Sequence, residues 1–163
     1  MSGRRTILIG GSAAALLGAG AWVVYTQIGS HAGNDFPVSM SRADWRNRLT
    51  EAQFEVMRLG KTERAFSSPL VEETRDGTYS CAGCGQAVYA SETKFYSPSG
   101  WPSFASAIEG NVGTRPDPSL GGMLTEAHCS RCGSHLGHIF DDGPPPTGKR
   151  HCINGLALDF AAA

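Results

Sequence analysis

The sequence predicts a mainly β domain of antiparallel strands, introduced by short N-terminal helices and held by a four-cysteine staple. Three observations lead there. Gly (21) and Pro (9) are frequent among the 163 residues, which favours turns and short strands over a helical bundle. From Thr78 onward, short apolar runs are separated by Gly, Pro, Ser and Asp. No helical pattern long enough for a crossover lies between them, so neighbouring strands should run antiparallel. Finally, Cys81-Ala-Gly-Cys84 and Cys129-Ser-Arg-Cys132 are two Cys-x-x-Cys knuckles, together the four-thiolate ligand set of a structural zinc site.

Residues 1–32 are expected to stand apart from this domain. Arg4-Arg5 precedes a charge-free stretch from Thr6 to about Tyr25, and Ser30-His31-Ala32 supplies the small residues of a cleavage site after Ala32. That is the layout of an export signal of twin-arginine type, which places the protein in the periplasm. An uncleaved anchor on the outer face of the inner membrane is the alternative, because the apolar stretch approaches the ~20 residues of a spanning helix. Residues 33–40 read as a linker and 41–160 as the domain.

Within the domain, Ser41 with Asp44 can cap a first helix carrying Trp45 and Leu49. Thr50-Glu51-Ala52-Gln53 is a capping box for a second helix, which carries Phe54, Met57 and Leu59 and stops at Gly60. Strand-like runs follow at Tyr79, Ala87-Val88-Tyr89, Lys94-Phe95-Tyr96, Met123-Leu124-Thr125, His138-Ile139-Phe140, and from Cys152-Ile153 to Leu156-Ala157-Leu158. The segment Gly110 to Gly122 reads as a surface loop. The 14 Lys and Arg are scattered and balanced by 15 Asp and Glu, a pattern that does not favour nucleic-acid binding.

The spacer between Cys84 and Cys129 is more than twice the 15–20 residues of a simple zinc ribbon, so the metal should clamp two distant hairpins. Gly85 and Gly133 follow the knuckles where a tight turn needs them. Two disulfides are the rival reading for an exported chain, although a bond inside one Cys-x-x-Cys is strained. Four ligands leave no open position for water, so the metal's role is structural.

That arithmetic leaves Cys152. Its neighbours Lys149, Arg150 and His151 should lower the thiol pKa. Arg150 and Asn154 lie two positions either side, on the same strand face. The other reading is a buried, inert cysteine in a zinc-stapled binding module. His135-Leu136-Gly137-His138-Ile139-Phe140-Asp141-Asp142 offers two imidazoles and two carboxylates, enough for a general acid and the group that orients it. It can equally hold alternative metal ligands or form a solvated turn. Trp101, in Pro98-Ser99-Gly100-Trp101-Pro102-Ser103-Phe104, can wall a pocket for an apolar group or belong to the core.

These motifs occur in the order seen in the B-type methionine sulfoxide reductases: Cys-x-x-Cys-Gly, Gly-Trp-Pro-Ser-Phe, Cys-x-x-Cys, His-Leu-Gly-His-Ile-Phe-Asp-Asp-Gly-Pro and Arg-His-Cys-Ile-Asn. The resemblance covers roughly residues 41–160. It implies two packed antiparallel sheets, a structural zinc ion and reduction of the R epimer of methionine sulfoxide in oxidatively damaged proteins. Position by position, Cys152 matches the attacking cysteine and Trp101 the indole that packs on the substrate methyl, with Phe104 beside it. His135 and His138 match the pocket histidines, His138 as the acid. Asp142, Arg150 and Asn154 match the polar residues that orient substrate and stabilise the thiolate. The chain departs from the family in two places. His151 replaces the usual aromatic before the catalytic cysteine. Ser99 stands where many members carry a second, resolving cysteine, so an external thioredoxin-like reductant is implied. Thiol-based peroxide reduction shares the cysteine chemistry but has no use for Trp101. The protein is expected to be a monomer.

Overall fold

The computed structural model describes residues 36–120 and 123–163. The expected export signal and the first part of the linker lie outside the described residues. No helix among the described residues is long and apolar enough to cross a membrane.

The two helices form as their caps dictate. In α1 (Arg42–Arg48), Ser41 and Asp44 make a reciprocal capping box; in α2 (Glu51–Leu59), Thr50 and Gln53 do the same. Gly60 ends α2 in the left-handed conformation, φ 69°. Trp45, Leu49, Phe54, Val56 and Met57 are buried, whereas Leu59 is 44% exposed and not part of the buried face.

Among the described residues, nine strands follow: β1 (Gly77–Cys81), β2 (Ala87–Ala90), β3 (Lys94–Phe95), β4 (Ser103–Phe104), β5 (Val112–Pro116), β6 (Thr125–Cys129), β7 (His135–Phe140), β8 (Arg150–Ile153) and β9 (Leu158–Ala162). They form two antiparallel sheets, of order β2-β1-β9 and β3-β4-β8-β7-β6-β5. The expected surface loop 110–122 therefore contains a strand. β5 pairs with β6 as the edge of the larger sheet, and Pro116 sits at its end, where a missing N–H costs no interior ladder bond. The run expected at Met123–Thr125 starts only at Thr125, and the last expected run is divided between β8 and β9 by a 3-10 turn at Gly155–Ala157.

The core joins the sheets. Phe104, on the larger sheet, stacks on Tyr89 at 4.3 Å and meets Tyr79 edge-on at 4.9 Å, both from the smaller sheet. All three are fully buried. Burying rings of this size contributes on the order of 2–3 kcal/mol each. Phe104 therefore supports the site from behind and does not line a substrate pocket.

Candidate active site and metal centre

The knuckles close at the ends of β1 and β6, one from each sheet. Gly85 (φ 74°) and Gly133 (φ 68°) take the left-handed turn that lets their N–H groups donate to the carbonyls of Cys81 and Cys129. The four sulfurs all lie within 4.8 Å of one another. Cys81 and Cys132 are 3.7 Å apart, and Cys84 and Cys129 3.6 Å. A disulfide needs about 2.05 Å, and all five cysteines are free thiols. A tetrahedral ion with sulfur ligands at ~2.3 Å would set sulfur–sulfur edges near ~3.8 Å. The cluster thus fits a metal ion. Arginines of the helices brace it: Arg48 donates to the Gly83 carbonyl at 2.6 Å, and Arg58 to the Cys132 carbonyl at 3.1 Å.

Cys152 lies mid-sheet on β8, with Ser103 of β4 opposite on one side and His138 of β7 on the other. The thiol is half-buried. Ser99 Oγ approaches its sulfur to 3.9 Å. Gly137 permits this close strand pairing, since a Cβ there would come within 2.1 Å of the Cys152 carbonyl.

The charges around the thiol differ from the expectation. Lys149 pairs with Asp141, and Arg150 makes a two-pronged pair with Asp142, 2.9 Å on each prong. Asp142 is thereby exposed beside Arg150 rather than beside the histidines. His151 faces the smaller sheet, where its Nδ1 meets Tyr89 Oη at 3.2 Å, and burial pushes its pKa down. Burial likewise pushes the Cys152 thiol up, against the opposing hydrogen bond from Ser99 and the charge of Arg150. Burial wins because Asp142 partly offsets the charge of Arg150. Iodoacetamide labelling of Cys152 is therefore expected to rise on the alkaline side, with a midpoint above the usual ~8.5 of a free thiol. Arg150→Met should move that midpoint higher still; a midpoint below ~8 would contradict this balance of burial and charge.

The histidines take their carboxylate partners from elsewhere in the chain. His138 Nε2 lies 2.6 Å from Asp117, beyond the end of β5. Hydrogen bonds from Ser119 and His138 hold the Asp117 carboxyl at about 2, so it stays ionised behind the ring. His135 Nδ1 lies 2.9 Å from Glu126 on β6. Burial raises the Glu126 carboxyl, but hydrogen bonds from His135 and Arg115 outweigh it and hold the group at about 2. His135 is 5% exposed, and its Nε2 is buried without a protein partner. Strand alternation would put residues 135 and 138 on opposite faces. A register shift between Ala127 and His128 reverses the alternation, so the two rings meet at 5.2 Å.

Asn154 and Trp101 are both tied to a residue the sequence reading missed, Glu63. The Glu63 N–H donates to Asn154 Oδ1 at 2.9 Å, and its carbonyl accepts from Trp101 Nε1 at 3.2 Å. Its carboxylate accepts from the N–H groups of Gly155 at 2.6 Å and Leu156 at 2.9 Å. Asn154 Nδ2 donates to the Leu136 carbonyl at 3.0 Å, so its amide positions the end of β8. Nothing in Lys61-Thr62-Glu63 marked it beforehand; the signal would have been a lone acid in a segment otherwise leading nowhere. Asp117 was legible only as an acid between two prolines.

Comparison with known proteins shows the family of this chain. A family model described as SelR domain matches residues 49–162. The peptide methionine sulfoxide reductase MsrB of Methanosarcina barkeri is 48% identical over 124 residues, covering 76% of this chain and 87% of that protein. The protein of the same name from Leptospira interrogans is 46% identical over 127 residues, covering 77% and 97%. Among solved structures, the crystal structure of the Mis18 'Yippee-like' domain aligns with a TM-score of 0.41 at 16% identity, over 55% of this chain and 98% of that one. With its cysteine cluster, its half-buried thiol and its paired histidines in the matched segment, this chain belongs to the SelR domain family, that of the MsrB methionine sulfoxide reductases.

Proposed function

We propose that this protein is a peptide-methionine (R)-S-oxide reductase with Cys152 as its nucleophile. The observation that carries the reading is the placement of His138 directly across the β7–β8 ladder from Cys152, with an ionised carboxylate behind it. The Cys152 thiolate attacks the sulfoxide sulfur while His138 gives a proton to the oxygen. The S–O bond of the substrate breaks and oxygen passes to Cys152. Methionine leaves, reduced by two electrons, and the thiol becomes a sulfenic acid. Trp101 walls the methyl group, and Arg150 steadies the thiolate. His135 and Asn154 hold the polar side and the strand end, and Asp142 keeps Arg150 in place. A binding module with an inert thiol is not favoured, because Cys152 is neither fully buried nor without polar contacts.

The metal is proposed to be zinc, which suits four thiolates in a tetrahedron, and its role structural, because a closed ligand set leaves no position for substrate. Cys81, Cys84, Cys129 and Cys132 would hold it. The sulfenic acid then needs an external dithiol: one thiol forms a mixed disulfide with release of water, and the second frees Cys152. A thioredoxin-like protein fits that part. The pattern of residues 4–32 supports action on exported proteins. Turnover of the two separated sulfoxide epimers with dithiothreitol tests the reading. The R epimer alone should be reduced; reduction of neither, or of the S epimer, overturns it.

With substrate but no reductant, dimedone is expected to label the protein once, at Cys152. Ser99→Cys should replace that adduct with a 99–152 disulfide, since the Ser99 oxygen already lies 3.9 Å from the sulfur. Mass spectrometry decides it. A persistent dimedone adduct in Ser99→Cys would show that this loop cannot close the remaining gap.

A further inference from the structure

Phe66 is unusual in two ways at once. Among the described non-glycine residues it has a positive φ, 59°. Ser67 N–H donates to the Arg64 carbonyl at 3.2 Å, closing a turn in which Phe66 holds the third position. A positive φ there suits Gly or Asn, and a bulky ring is strained. Burial does not explain the choice, because Phe66 is 68% exposed.

Its location relates it to the thiol. Phe66 N–H donates to the Gly100 carbonyl at 2.7 Å. Its ring covers Gly100, where a Cβ would come within 2.8 Å of ring carbons. The chain neighbours of Gly100 are Ser99, which touches Cys152, and Trp101, whose indole is tied to Glu63. An apolar ring thus stands in solvent at the rim of the site, fixed from both the 63–66 and the 99–101 segments. Strained residues concentrate at ligand clamps, where the strain serves binding. A free amino acid ends at its own amino and carboxyl groups, whereas a peptide continues past them. An aromatic face suits an apolar side chain next to the oxidised methionine.

We propose that Phe66 is a docking residue for the polypeptide around the methionine sulfoxide, favouring peptide-borne substrate with an apolar neighbour over the free amino acid. This rests on the reductase reading above. Phe66→Gly is the discriminating variant, because Gly adopts positive φ without strain and should leave the thermal midpoint unchanged or raise it. The full chain is assayed with dithiothreitol on free methionine-R-sulfoxide and on a blocked pentapeptide with leucine on each side of the oxidised residue. In Phe66→Gly the KM for the peptide should rise about tenfold, with kcat/KM for the free amino acid within about twofold of wild type. Phe66→Tyr should restore the peptide KM. An unchanged peptide KM, an equal loss on both substrates, or a tyrosine variant as poor as glycine overturns the docking role. Wild type that reduces neither substrate overturns the reductase reading, and the docking role with it.

Discussion

Cys152→Ser is expected to lower sulfoxide turnover by about a thousandfold or more while the protein keeps its metal and its fold. A serine hydroxyl is far harder to ionise than a thiol, and it cannot accept the sulfoxide oxygen as a stable, reducible intermediate. No other thiol can substitute, because the remaining four cysteines form the cluster. The exchange should cost little stability. Cys152 is half-buried beside a hydroxyl, and the smaller serine side chain keeps a polar group there, so an effect within about 1 kcal/mol is expected. A dithiothreitol-driven assay, metal analysis and circular dichroism check the three parts. Turnover within a few fold of wild type would end the proposed mechanism.

Cys129→Ser or Cys84→Ser should have the opposite profile: loss of metal and of the folded state together. The sulfurs link the end of β1 in the smaller sheet to the end of β6 in the larger one. Metal binding at structural four-ligand zinc sites is worth roughly 10–16 kcal/mol in peptides. That equals or exceeds the 5–15 kcal/mol net stability of a typical domain. Losing one thiolate also leaves the Cys81 and Cys132 sulfurs packed at 3.7 Å with no ion held between them. Such a variant should lack stoichiometric metal and show no cooperative thermal transition. A well-folded, metal-free, fully active variant would show that these cysteines are not ligands.

The features legible in the sequence are those that depend on neighbours a few residues away. Capping boxes at Ser41 and Thr50, the left-handed stop at Gly60 and the knuckle glycines follow from backbone hydrogen bonds that close locally. The four-thiolate set followed from counting, because Cys-x-x-Cys spacing already presets each ligand pair. The odd cysteine was found by the same count.

Tertiary structure decided what surrounds that cysteine. The acids nearest the histidines in sequence, Asp141 and Asp142, pair with Lys149 and Arg150 across the β7–β8 hairpin, while Asp117, just past β5, and Glu126 of β6 orient the rings. A register shift near His128 brings His135 to the face of His138, which simple alternation forbids. Phe104 went to the core because two tyrosines of the other sheet meet it there. The thiol pKa rises because packing buries the sulfur while carboxylates take up two of the flanking cations and burial keeps His151 neutral. Sequence alone determined which chemical groups the protein owns and how its turns close. Desolvation and charge pairing depend on distances across strands, and those exist only once the two sheets have packed.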